Sequence, residues 1–185
     1  ITEDATSKLN GKLVNTKDAL GELAQKMGKE TVFSATEAAD AINIMAMAGK
    51  NTQEIYDMLP NVLNMASAGE IEIAQAADIA TGIMAGFNME SSRTQEVVDK
   101  VSKMASSAKG TVASFGEGLA TVAGQAKSTG QSFDDVAVAL EILGNHNVSA
   151  AEGGNALNRA LRNLYQPTDS AAAVLKELGI SAYDA

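Results

Sequence analysis

The side chains able to do acid–base, nucleophilic or metal chemistry are few and scattered. His146 is the single histidine and cysteine is absent. No Cys–His pair, Ser-His-Asp triad or zinc set of histidine and thiolate ligands is therefore supported. His146 lies in the run Gly144-Asn145-His146-Asn147, a string of turn formers, and reads as a loop residue. The carboxylate pairs Glu70/Glu72 and Asp134/Asp135 have the composition of a general acid–base couple. They fall where helices are expected to begin, and negative charge there complements the helix dipole. Gly110, Gly116, Gly118 and Gly124 make no phosphate loop, because no GxxxxGK[ST] run and no preceding strand accompany them. Gly82 and Gly86 form a GxxxG pair bounded by Asp78 and Glu90. The apolar run between those charges is too short for a bilayer, so a tight crossing of two helices is expected. Asn147-Val148-Ser149 matches a glycosylation acceptor, but no secretion signal accompanies it. Arg159 and Arg162 belong to the polar side of their helix and read as solvated rather than as a partner-binding pair. No catalytic, cofactor-binding or metal-ligating residue is assigned, and the chain reads as a non-enzyme.

Charge narrows the partners. Acidic residues outnumber basic ones 23 to 14, for a formal charge of −9. Nucleic-acid binding needs clustered Lys and Arg to displace counterions, so none is expected. The same balance disfavours an anionic membrane surface. No run approaches the ~20 apolar residues of a membrane-spanning helix. The sequence opens at Ile1 without an initiating Met and closes just after a new segment begins, so it reads as a piece of a longer protein. Its 185 residues suffice for one domain with a real core.

The elements that must position these residues are helices almost throughout. Leu9, Leu13, Thr16, Leu20, Leu23 and Met27 recur at heptad-like spacing. They predict either one amphipathic helix on the domain or the last stretch of a longer coiled coil, weakened by Gly11 and Gly21. Further stripes follow, each the i, i+3, i+4, i+7 face of a helix. They are Ile55, Leu59, Val62, Leu63 and Ala66; Val97, Val101, Met104, Ala105 and Ala108; Phe115, Leu119, Val122, Ala123 and Ala126; Phe133, Val136, Ala137, Leu140 and Leu143; and Ala156, Leu157, Ala160, Leu161 and Leu164. Sustained period-2 alternation is missing, so strands are not expected.

The connectors share one chemistry: a Gly or Asn able to turn left-handed, then a Ser or Thr able to cap the next helix. The pairs are Gly49/Thr52, Asn88/Ser91, Gly130/Ser132, Asn147/Ser149 and Gly179/Ser181. Capping boxes are expected at Ser34 with Glu37, Ser132 with Asp135 and Ser149 with Glu152. Pro60, inside a stripe, predicts a break or kink. Residues 34–54 resemble residues 132–152, with a partial echo at 76–91, which suggests stacked helical hairpins. The fold expected is all-α, a multi-helix globule of about seven to nine helices. Its division is residues 1–30 as the heptad helix and 31–185 as a helical core domain. Core positions are expected at Ile42, Met45, Leu59, Leu63, Val101, Phe115, Leu119, Leu140, Leu143, Leu157 and Leu161.

The order of segments resembles the core region of the TP901-type phage tail tape measure family. The residues that carry it run from Ala38-Ala39-Asp40-Ala41 and Met47-Ala48-Gly49 to Leu59-Pro60-Asn61-Val62-Leu63-Asn64-Met65-Ala66. They continue through Ala76-Ala77-Asp78-Ile79, Val97-Val98-Asp99-Lys100-Val101 and Gly130-Gln131-Ser132-Phe133-Asp134-Asp135-Val136-Ala137 to Ala156-Leu157-Asn158-Arg159-Ala160-Leu161. One departure is plain: the family's frequent Ala-Gly-Thr-x-Leu-Arg stands here as Gly153-Gly154-Asn155-Ala156-Leu157-Asn158. The resemblance implies a structural and assembly protein of phage or prophage, coiled in the tail tube lumen of the virion and made in the host cytoplasm. It would template tube length and leave ahead of the DNA. It also implies tail tube proteins, tail-tip proteins and tail assembly chaperones as partners, with self-association through helices open. The alternative is a cytosolic α-helical adaptor that binds partner helices. The Ala-rich stripes further predict marginal tertiary packing with durable helicity.

Overall fold

A computed structural model describes residues 6–179. Among the described residues there are nine α-helices and one two-stranded hairpin. The helices are α1 (Thr16–Glu30), α2 (Ala35–Met47), α3 (Thr52–Gly69), α4 (Ile73–Phe87), α5 (Thr94–Ser107), α6 (Val112–Ser128), α7 (Phe133–Asn145), α8 (Ala150–Tyr165) and α9 (Asp169–Glu177). The all-α expectation holds, with one exception at the start.

That exception replaces the first half of the heptad seam. Residues Thr6–Leu9 (β1) and Lys12–Asn15 (β2) pair antiparallel, with Leu9 opposite Lys12. Asn10 (φ 49) and Gly11 (φ 77) make the turn between them. Two successive residues at positive φ form the tight hairpin turn that matches strand twist, and Asn-Gly is its favoured sequence. Leu13 is consequently 74% exposed instead of lying on a helical seam. The helix begins at Thr16, and Leu20, Leu23 and Met27 are buried as its stripe predicts.

The capping boxes of α2, α7 and α8 form as expected, at Ser34/Glu37, Ser132/Asp135 and Ser149/Glu152. Two caps differ. Asn51, not Thr52, caps α3, in a further capping box with Glu54. Ser91 opens a single 3-10 turn (Ser91–Arg93) before α5 and caps no α-helix. Gly49 (φ 82), Asn88 (φ 54), Gly130 (φ 75), Asn147 (φ 63) and Gly179 (φ 68) take the left-handed conformation predicted, while Ser181 lies outside the described residues. Glu70 sits at the C-cap of α3 in the left-handed region, not at a helix start. Helix α3 runs unbroken through Pro60, so the break does not occur. The Asn61 side-chain amide donates to the Asp57 carbonyl one turn back, and both faces of this helix are held by packing.

The core is one cluster spanning α1 to α8. Its largest fully buried side chains include Phe115, Ile55, Leu59, Leu63, Ile83, Leu119 and Leu140. Met45, Met58, Met65, Met84 and Met104 stand beside them, flexible side chains suited to filling irregular gaps in a core. Leu143, Leu157 and Leu161 are half-buried rather than core.

The likeness between residues 34–54 and 132–152 extends to three helices. Shifting by 98 positions carries the bounds of α2 onto those of α7 (35 to 133, 47 to 145) and the start of α3 onto that of α8 (52 to 150). Gly49 falls on Asn147, both left-handed. The end of α1 falls on the end of α6, and the threonine after each (Thr31, Thr129) donates its hydroxyl to the carbonyl four residues back. The chain thus contains two related three-helix units, α1–α3 and α6–α8, with α4 and α5 between them.

Candidate interaction surface

Each residue with chemical potential is placed in a structural role. His146 is the exposed C-cap residue of α7, as its turn-forming neighbours predicted. Asp134 and Asp135 lie in the first turn of α7. Asp135 accepts from the Ser132 backbone and hydroxyl, and these bonds hold its carboxyl below the ordinary range. Glu37 is lowered in the same way by Ser34. A carboxylate stabilised in its charged form by fixed donors is a poor proton acceptor, which suits capping rather than catalysis. Asp134 pairs with Lys100 at 2.6 Å and ties α7 to α5. Among the described residues, no three His, Asp or Glu side chains gather into a metal-holding set. No described helix is long and apolar enough to cross a membrane.

The glycine pair does what its spacing predicts. A Cβ on Gly86 would stand 2.3 Å from the Ala123 methyl, and one on Gly82 would stand 3.5 Å from that of Ala120. Both contacts bring α4 close against α6.

A polar relay crosses the N-terminal end of the molecule and was not anticipated. Ser7 Oγ, in β1, accepts from the hydroxyls of Thr16 and Thr52 at 3.0 and 2.7 Å. The Asn10 backbone N–H, in the hairpin turn, donates to Gln53 Oε1 at 2.7 Å. Gln53 Nε2 donates to Asp57, whose other oxygen accepts from Ser91. These bonds anchor the hairpin and the 3-10 turn to α3. The only advance signal was the Asn-Gly dipeptide, which defines the hairpin that carries Ser7.

Two surface hollows stand out, one of mixed lining and one polar. One, of about 320 Å³, lies between the C-terminal end of α4 and the α6–α7 connector. Phe87 and Phe133 stack edge to face beneath it, with ring centres 5.6 Å apart. The other, of about 400 Å³, is a shallow surface of Asn155, Asn158, Arg159 and Arg162 on α8, so the two arginines are solvated as expected. Neither encloses a ligand-sized apolar space.

The feature left over is apolar and exposed. Val138 and Ile142 on α7 are 50% and 53% exposed, and Leu164 on α8 is 56% exposed. Val174 on α9 and Leu178 at its C-cap are exposed too, and α9 buries none of its residues. Exposed apolar side chains on neighbouring elements favour association with a partner. The described residues form a helical body with short capped connectors and apolar side chains turned outward on its last helices. The chain belongs to the phage-related minor tail protein family, which it matches over residues 8–185. It is similar to a tape measure protein of Pneumococcus phage Dp-1, at 29% identity over 92% of this chain. It is also similar to a probable tape measure protein of Escherichia phage P2, at 28% identity over 90% of this chain. The matched regions span 15% and 20% of those relatives' lengths. No solved structure matches.

Proposed function

We propose that this chain is a folded assembly module within a tail tape measure protein. The whole protein sets the length of the tail tube, occupies its lumen in the virion and leaves ahead of the DNA. This module organises packing or initiation with tail-tip proteins, tail tube proteins or tail assembly chaperones. The observation that carries the reading is the family match along nearly the whole chain.

Geometry favours a role for this segment other than that of the ruler. A ruler needs long uninterrupted helices, since a helix advances ~1.5 Å per residue. The longest helix here has 18 residues, about 27 Å, and every connector reverses or redirects the chain. A compact, folded-back segment contributes little length. Deleting residues 34–166 from the parent phage gene tests this by electron microscopy of assembled tails. The expected result is failure of assembly or tails of unchanged length. Tails shortened by ~200 Å, the helical length of the segment removed, would overturn it.

A further inference from the structure

The two three-helix units differ in what covers them, and the difference identifies an occupant. In the first unit, α4 packs on both α2 and α3. At the 98-position shift, the corresponding residues of the second unit are more exposed. Ile44 is half-buried where Ile142 is 53% exposed. Leu59 and Leu63 are buried where Leu157 and Leu161 are half-buried. Ala66 is buried where Leu164 is exposed.

The helix that would stand in for α4 is α9. It follows α8 after three residues, as α4 follows α3 after three. Val174, Leu175 and Leu178 fall on Ala76, Ala77 and Ala80, all fully buried in α4. The stripe is present and larger, yet none of it is buried. The connectors explain why. Glu70 is left-handed (φ 50, ψ 41) and turns α4 back over its own unit. Gln166, at the C-cap of α8, is not left-handed (φ −129, ψ 69) and precedes Pro167, whose ring disfavours the helical region for the residue before it. Self-closure is hindered while donor helix and acceptor face both remain open.

We propose that α9 docks on the α7–α8 face of a second copy of this chain, reciprocally, so that two copies exchange α9. Exchange of an identical element is a low-cost route to a closed two-fold dimer. Reciprocity matters for size: one nine-residue helix covers too little surface, a stable complex needing about 1,200 Å² or more.

The test is sedimentation velocity of the 185-residue chain across micromolar to millimolar concentration, with hydrogen exchange of α9. Val174→Asp with Leu178→Asp disables the donor; Leu161→Asp with Leu164→Asp disables the acceptor. The expected result is a concentration-dependent dimer with α9 protected, weakened on the order of tenfold or more by either pair. An equimolar mixture of the two variants should recover a heterodimer through its one intact exchange. Pro167→Gly, which alters only the connector, should shift the chain toward a monomer with α9 protected. Circular dichroism matching the parent establishes that each variant is folded. A monomer at every concentration, whether α9 is free or folded on its own unit, overturns the proposal. So does a dimer indifferent to both aspartate pairs.

Discussion

In the α1–α3 unit, the third helix is held off the first by side chains: Tyr56 reaches across and donates its hydroxyl to the Ala19 carbonyl at 2.8 Å. In the α6–α8 unit the positions of Leu20, Ile55 and Tyr56 are taken by Gly118, Gly153 and Gly154. There the backbones themselves meet. A Cβ on Gly118 would lie 2.6 Å from the Ala150 carbonyl oxygen, and one on Gly154 would lie 2.7 Å from that of Gly118. The same caps and helix lengths therefore serve two kinds of crossing. One is spaced by large apolar groups and sealed by α4 and α5; the other is close and glycine-lined, with its outer face left open.

The comparison breaks most readily at matched leucines. Leu63→Ala should cost ~2–5 kcal/mol, because the side chain is 1% exposed in a dense core. Leu161→Ala, its half-buried counterpart, should cost less than half as much in the monomeric chain. Chemical denaturation of both variants measures the ratio; equal costs would mean that the two faces are equally covered.

The glycine crossing gives a second contrast within one helix. Gly118→Ala pushes a methyl into backbone that cannot yield like a side chain, and should cost ~1–3 kcal/mol. Gly124→Ala, also in α6, meets nothing within 4 Å and should stabilise by up to ~1 kcal/mol through helix propensity. Melting temperatures moving in opposite directions would sharpen the distinction between close contact and open surface.

The caps supply the smallest effect, and there the units should agree. Ser34→Ala and Ser132→Ala should each cost about 1 kcal/mol. Glu37 and Asp135 have lowered pKa values in the fold. Their stabilisation is therefore present above the ordinary carboxylate pKa and is lost as pH falls through the folded value. Acid titration followed by hydrogen exchange should show the first turns of α2 and α7 fraying together, and neither serine variant should show this acid sensitivity.

What the sequence made legible follows from the same local chemistry. Serine caps with acidic partners marked α2, α7 and α8 to the residue, because capping is decided within four positions. The stripes of α3 and α6 predicted their buried faces, because helical period and burial coincide there. Leu9 and Leu13 misled for a physical reason: a spacing of four fits a helix as well as two residues flanking a hairpin turn. Only the left-handed demand of Asn10 and Gly11 separates the two. Likewise Leu157 and Leu161 disclose which side of α8 is apolar, but a stripe carries no information about whether another helix lies over it. The glycine contacts of α6 with α8 were illegible because they join residues more than thirty positions apart.

The sulphur atoms give this core a chemical consequence. Of the eight methionines, Met47 is 81% exposed, whereas Met27, Met45, Met58, Met65, Met84, Met89 and Met104 are all buried. Met84 even accepts a hydrogen bond from the Thr94 hydroxyl at 3.2 Å. A peroxide can reach the first sulphur freely and the other seven only when helices part. Sulfoxide formation turns a flexible apolar group into a polar one that no longer suits the interior. Each opening caught by an oxidant would thus be recorded as one added oxygen and would favour the next, so that the mass of the chain becomes a history of how often its core has been exposed.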